Sequence, residues 1–171
     1  MATIKTFNWI DGAGLVVKGS PPALREFSKD DIDTVVKLAK LAMPYPWSAD
    51  VFEDCLKANY AGWVLTNSSE NQGEMIIGFV VILIHSDECQ LMNICIHPNY
   101  QRRGYANYVL EQVVEYSREK GASRIALEVR SSNKAAIELY QQAGFIEVGK
   151  RKQYYASEWG REDALIFIKN I

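Results

Sequence analysis

The sequence predicts an α/β chain built on a single mixed, mostly antiparallel sheet with helices on both faces. Three observations predict it. Apolar runs of strand length alternate with stretches of helical period, in the order βα α βββ α β α β β over residues 23–171. Between Trp63 and Ile96 three strands follow one another with only short polar reversals, which is an antiparallel meander. The two C-terminal helices each join strands, and such connections are right-handed crossovers.

The elements follow in order. Residues 1–22 read as an N-terminal extension: Ile4–Ile10 suits an edge strand, Asp11-Gly-Ala-Gly14 a turn, and Ser20-Pro-Pro22 a boundary before the domain of residues 23–171. Leu24–Phe27 is a first strand. Ser28 is placed to cap a helix with Asp30 and Asp31 in its first turn and Ile32, Val35, Val36 and Ala39 as its stripe, and Pro44 stops it. Ser48 starts a second helix over 49–59. Trp63–Leu65, Met75–His85 and Cys89–Ile96 are strands, and Pro98 ends the last. A helix runs from Tyr105 to about Lys120, with Gly121 past its end. Arg124–Arg130 is a strand, Asn133 caps a helix to Ala143, Phe145–Val148 is a strand, 152–161 a polar and aromatic loop, and Ala164–Ile168 the last strand.

Composition narrows the function classes. A chain of 171 residues with 48% hydrophobic and 23% charged residues fits one globular domain with a sizeable core. A net charge of −2 gives no general attraction to nucleic acid or to an anionic membrane. Cys55, Cys89 and Cys95 have no metal-ligand spacing, and with only His85 and His97 beside them no metal site is expected. The odd cysteine count favours free thiols in a reducing compartment. The apolar run from Met75 to Ile84 is far short of the ~20 residues that span a bilayer. With no signal-peptide layout at the N-terminus, a soluble cytoplasmic protein is expected.

The stretch Leu91–Leu110 carries the first chemical signal. A strand breaks at His97-Pro98-Asn99, the loop Gln101-Arg102-Arg103-Gly104 follows, and a helix begins at Tyr105-Ala106. A loop feeding a helix start presents unpaired amides and the positive end of the helix dipole to an anion. Arg102 and Arg103 add charge, Gly104 admits a close ligand, and Ala106 keeps the next turn slim. On spacing alone the stretch reads either as a phosphate cradle or as a solvated basic loop. It is neither a G-x-G-x-x-G dinucleotide fingerprint nor a Walker loop.

Further candidates lie on both sides of that loop. Ile125, Leu127 and Val129 share one face of their strand and leave Glu128 on the other. In a strand covered on both faces an enclosed carboxylate is a candidate general base; the alternative is a Glu near water or paired with Arg130. Tyr140 is either a proton donor or a core aromatic of its helix. Cys95 invites a covalent route, yet has no basic partner nearby in sequence and also reads as a small buried thiol. Tyr45 with Trp47, and Tyr154 with Tyr155 and Trp159, crowd two loops, where aromatics line a ligand surface or pack a core edge.

These residues carry a family resemblance. Gln101-Arg-Arg-Gly-Tyr-Ala106 resembles the acetyl-CoA loop of the GNAT acetyltransferases. Asn93–Gly104, Leu127-Glu-Val-Arg-Ser-Ser-Asn133 through Tyr140, Ala143-Gly-Phe145, Tyr154-Tyr155, Gly160-Arg-Glu-Asp-Ala164 and Pro46-Trp-Ser48 together resemble the RimI-type N-terminal acetyltransferases over about residues 23–170. The resemblance implies the GNAT fold, with a splay between two central strands, and acetyl-CoA as acetyl donor without a metal. It implies that Ile94, Cys95 and Ile96 hold the acetyl and pantetheine end by their backbone, that Arg102, Arg103, Gly104, Tyr105, Ala106 and Asn107 hold the pyrophosphate, and that Asn133 touches the cofactor. It makes Glu128 the general base and Tyr140 the general acid of a direct transfer, with Tyr45, Trp47, Tyr154 and Tyr155 forming a peptide slot. The implied partner is the N-terminal alanine of small-subunit ribosomal protein eighteen, met by a monomer or weak dimer. Ala106 stands where bacterial members often have Gly, and Asn107 replaces a frequent basic residue. Rival readings are acetylation of another protein N-terminus, a lysine side chain or a small amine, a CoA-binding regulator without turnover, and an interaction module.

Overall fold

The fold is described from a computed structural model, which covers residues 22–58, 60–69 and 73–171. Apart from Pro22, the expected N-terminal extension lies outside the described residues. Eleven elements follow: β1 (Ala23–Glu26), α1 (Ile32–Ala42), α2 (Ala49–Lys57), β2 (Ala61–Ser69), β3 (Gly73–His85), β4 (Glu88–Ile96), α3 (Tyr105–Glu119), β5 (Arg124–Arg130), α4 (Lys134–Gln142), β6 (Ile146–Ser157) and β7 (Gly160–Asn170). This is the expected element order. The strands form one sheet in the order β1-β2-β3-β4-β5-β7-β6, mixed because β4 runs parallel to β5 while β1–β2, β5–β7 and β6–β7 are antiparallel. The chain divides into two compact units, one running to Val81 and including Asn93–Val109, the other Ile82–Met92 with Leu110–Ile171.

In the first unit, apolar spacing on α1 buries Ile32, Val35, Leu38 and Ala39, one helical stripe. The stripe joins a cluster with Phe27, Phe52, Val64, Phe79, Val81 and Cys95. Phe52 is its centre, edge-on to Phe27 at 5.9 Å and to Phe79 at 5.4 Å between ring centroids. The entry to α1 is a short 3-10 turn, Lys29–Asp31. There Ser28 donates its N–H and its hydroxyl to the Asp31 carboxylate, both at 2.9 Å, and Arg25 closes a two-pronged 2.8 Å fork on the same group. The Arg25 guanidinium, helped by Ser28 against the cost of burial, holds the Asp31 carboxyl down at about 2. Met43 turns extended before Pro44 and ends α1.

In the second unit, β5 alternates as its sequence requires: Ile125, Leu127 and Val129 are buried, and Ala126, Glu128 and Arg130 are half-buried. β4 pairs with β5 over Glu88–Leu91 and Arg124–Leu127. Leu127 opposes Phe167 and Glu128 opposes Ile166 on β7, so the buried face of β5 continues through Phe167.

The C-terminal expectation needs correction. β6 does not stop at Val148, and residues 152–161 are not a loop. β6 extends to Ser157, and β7 begins at Gly160, so the chain forms a long hairpin that turns at Glu158-Trp159. β6 is the last strand of the sheet and is exposed along most of its length. A strand held by backbone pairing, with neither face fully covered, carries no apolar alternation for sequence reading to find.

Candidate active site

The first unit contributes a site made largely of backbone. The His97 N–H donates to the Ile77 carbonyl at 2.8 Å and fixes the end of β4. Gly78, the next residue of β3, lies so close that a Cβ there would sit 2.8 Å from the Cys95 carbonyl oxygen and from Ile96 Cδ1. A side chain at 78 would push on Cys95 and Ile96, the residues expected to line the acetyl end. Pro98–Tyr100 make one 3-10 turn, with His97 Nδ1 accepting from the Asn99 N–H. The Gln101 side chain reaches back to the Ile96 carbonyl at 2.9 Å and ties the loop to the strand.

From there the backbone takes an unusual path. Arg102 has φ +61° and Gly104 φ +79°, both left-handed, and α3 starts at once with Tyr105. Tyr108 N–H donates to Gly104 O, so the amides before it open the helix with no acceptor one turn back. Alternating backbone handedness at a helix N-terminus is the form of an anion nest. Arg102, Arg103 and Asn107 are exposed around it, and Arg103 lies over the Tyr100 ring at 5.4 Å. Tyr105 is buried, and burial pushes its hydroxyl up. The arrangement fits a pyrophosphate: donors on one concave stretch, two exposed cations at its rim, and a half-buried Ala106 that adds no bulk. Ile94 is half-buried, and Cys95 and Ile96 are buried. Burial pushes the Cys95 thiol up to about 12, which keeps it protonated at neutral pH and disfavours a nucleophilic role. Trp47, expected in a peptide slot, packs its ring on Phe52 at 5.4 Å and belongs to the edge of the core; Tyr45 is exposed.

The second unit contributes charged and phenolic side chains. Glu128 is not enclosed as expected. Its side chain is 28% exposed, and its Oε1 accepts from Arg151 Nε at 2.7 Å. Arg130, the alternative partner from sequence, is taken instead by Glu162 at 2.8 Å and by the Ala156 carbonyl. The physical reason is register. Ala164 opposes Arg130 on one side and Arg151 on the other, so two arginines flank one small residue and each must find its own carboxylate. Arg130 also lies over the Tyr155 ring at 4.4 Å, Arg151 over Tyr154 at 5.6 Å, and the two phenols meet edge-on at 5.0 Å. Tyr154 and Tyr155 thus stand on a strand, not a loop.

Tyr140 is buried in α4, 5.8 Å from Phe145 and 6.4 Å from Phe167. Phe167 opposes Leu127 across β5 and β7. Burial first, and the Tyr155 phenol second, push the Tyr140 hydroxyl well above the usual phenol range. The Tyr155 hydroxyl is also raised, by burial and then by the Glu128 charge, so it is coupled electrostatically to both candidate groups. Asn133 caps α4, accepting from the Ala136 N–H at 3.2 Å, and its side chain is exposed at the helix start.

Sequence reasoning gave no role to Arg151, Glu162 or Asp163. Glu162 holds both Arg130 and the Ser132 N–H, and Asp163 accepts from the Gln153 N–H at 2.9 Å, where the chain has φ +48°. The motif Gly160-Arg-Glu-Asp-Ala164 was the one available signal, and spacing could not say that it buttresses the β5–α4 turn and a bulge in β6.

Comparison with known proteins is consistent with this geometry. The profile of the acetyltransferase (GNAT) family matches residues 32–145. The chain is 34% identical over 136 residues to the ribosomal protein bS18-alanine N-acetyltransferase of Escherichia coli K12, covering 80% of this chain and 88% of that protein. It is 34% identical over 137 residues to the enzyme of the same name from Haemophilus influenzae, covering 80% and 90%. The crystal structure of the Escherichia coli ribosomal-protein-S18-alanine N-acetyltransferase superposes with a TM-score of 0.78 at 31% identity, over 88% of this chain and 94% of that one. Arabidopsis thaliana NAA60 in complex with acetyl-CoA shares the fold, with a TM-score of 0.78 at 20% identity over 88% of this chain and 99% of that one.

Proposed function

From the premise that the chain belongs to the GNAT acetyltransferase family, we propose that it transfers the acetyl group of acetyl-CoA to the α-amine of an N-terminal alanine, that of small-subunit ribosomal protein eighteen. The observation that carries this reading is similarity at 34% identity running along 88% of the length of a relative of that activity, rather than along one motif. No described helix is long and apolar enough to cross a membrane, and we read the site of action as the cytoplasm.

The donor supplies a thioester, which is reactive towards an amine and leaves as a thiol. The loop Arg102–Asn107 binds its pyrophosphate through backbone amides and two guanidinium groups. The backbone of Ile94–Ile96 aligns the pantetheine, and an N–H near Ile96 polarises the thioester carbonyl. Asn133 meets the cofactor from the start of α4. An α-amine has a pKa of about 8 and arrives largely as ammonium at neutral pH. Glu128, directly or through one water, accepts the proton that frees the lone pair. A C–N bond forms as the C–S bond breaks, and the second proton that the nitrogen sheds on becoming an amide passes to solvent, which also restores the proton Tyr140 gives up. Tyr140 stays protonated at every physiological pH, because burial raises its hydroxyl, and so remains able to donate to the departing sulfur. Tyr154 and Tyr155 hold the acceptor backbone, with the exposed Tyr45 as a further contact. No acetyl-cysteine is involved, in keeping with the inert Cys95 thiol.

The test is an acceptor panel read by mass spectrometry. It contains the ribosomal peptide with its N-terminal alanine free, the same peptide with a blocked N-terminus and free lysines, peptides with other first residues, and a polyamine. One acetyl group on the α-amine of the first peptide, at a rate well above all others, is expected. Preference for a lysine or the polyamine overturns the acceptor assignment.

A further inference from the structure

We propose that Arg151 is a positioning residue for Glu128: it holds the carboxylate aimed while leaving one oxygen for the acceptor's proton. The inference rests on the reading of Glu128 as general base.

The geometry carries it. β7 lies between β5 and β6, so Arg151 must reach over a whole strand, about 10 Å at two interstrand spacings, to touch Glu128. The path is open on that face because its register neighbour is Ala164. Glu128, Ile166, Ala164, Arg130 and Arg151 fall on one face of the sheet by register, and Glu162 joins them two residues along β7. On it the charges pair crosswise, Arg130 with Glu162 and Arg151 with Glu128. The two pairs are not alike. Arg130 and Glu162 have side chains only 20% and 16% exposed, and Glu162 is further fixed by the Ser132 N–H. Arg151 is 57% exposed and bonds one oxygen of Glu128 through Nε alone. Such a contact leaves Oε2 available and lets the guanidinium shift as a cationic ammonium arrives. The stack on Tyr154 gives Arg151 a second resting point 5.6 Å from a ring that is itself exposed. The aim of Arg151 is set by the β6 bulge between Arg151 and Tyr155, which Asp163 clamps at Gln153.

The titratable and charged groups around Glu128 are Arg151 and Tyr155 from β6, Arg130 from its own strand and Glu162 from β7, with Tyr154 beside Arg151 and Tyr140 coupled through Tyr155. Of these, Arg151 is the cation in contact with the carboxylate. Without it the carboxylate is free to turn away from the acceptor nitrogen, which costs turnover rather than cofactor binding.

The experiment measures kcat and KM for both substrates, at low and high salt, in wild type, Arg151→Gln, Arg151→Lys and Glu128→Gln. Arg151→Gln is expected to lower kcat about tenfold and to leave KM for acetyl-CoA within about twofold, because a mis-aimed base costs turnover and not cofactor binding. Arg151→Lys restores part of kcat, since an ammonium there can still meet the carboxylate. Added salt lowers kcat in wild type and not in Arg151→Gln, because the pair is solvent-accessible; this arm needs no variant to fold. A kcat unmoved in Arg151→Gln, or unmoved by salt in wild type, overturns the proposal while an inactive Glu128→Gln keeps the base assignment. A fully active Glu128→Gln overturns the base assignment itself.

Discussion

The two units solve opposite problems with opposite materials. The cofactor loop of the first is contiguous in sequence and works through backbone: Gln101 ties it to Ile96, Arg102 and Gly104 turn left-handed, and α3 opens its amides. Its arginines stand at the rim, exposed and ready for phosphate charge. The proposed acceptor side, in the second unit, relies on side chains gathered from far along the chain. Arg151 meets Glu128 across 23 residues, and Arg130 meets Glu162 across 32. There the cations are already neutralised. The first arrangement waits for an anion of high charge that brings its own compensation. On the proposed function, the second must deliver a cationic amine to a carboxylate without leaving that carboxylate bare beforehand. On that reading a resident ion pair is part of the acceptor site rather than an obstacle to it.

Substitutions sharpen this contrast, the largest effect first. Glu128→Gln removes the proton acceptor and keeps the shape, so kcat should fall by about 10²–10⁴ while KM for acetyl-CoA is unchanged. A loss confined to KM would move the chemistry away from β5. Replacing Arg102 and Arg103 together by Ala should raise KM for acetyl-CoA about tenfold with little change in kcat, and should flatten its dependence on salt. Equal loss in both parameters would show that the loop is more than a binding device. Cys95→Ala should retain at least about half of wild-type kcat, because a thiol held at about 12 has no share in the transfer; trapping of an acetyl group on wild-type Cys95 would reverse that conclusion.

Legibility in the sequence follows the same division. The element order, the strand Arg124–Arg130 and the loop–helix cradle were all readable, because apolar period, capping residues and a short contiguous motif report local structure. Asn133 was recognised as a cap and caps α4 through its side chain. Glu128 was located correctly on its strand, but its environment was not, since the residue that pairs with it lies on a strand two places away in the sheet. The β6–β7 hairpin escaped for a related reason: its stability comes from a backbone ladder and from Glu162 and Asp163, and neither leaves a trace in hydropathy. Trp47 shows the converse limit, an aromatic in a loop that serves a core centred on Phe52.

The bulge in β6 has a consequence for how the hairpin can change length. Between the pairs Arg151↔Ala164 and Tyr155↔Glu162, β6 spends three residues where β7 spends one. Pairing resumes beyond it, so Arg151 and Tyr155 still emerge on the same side. The same strand absorbs one surplus residue between Glu147 and Gly149, again with pairing resumed beyond it. Extra length along this edge strand is therefore taken up in bulges, which leave the facing of the paired residues unchanged.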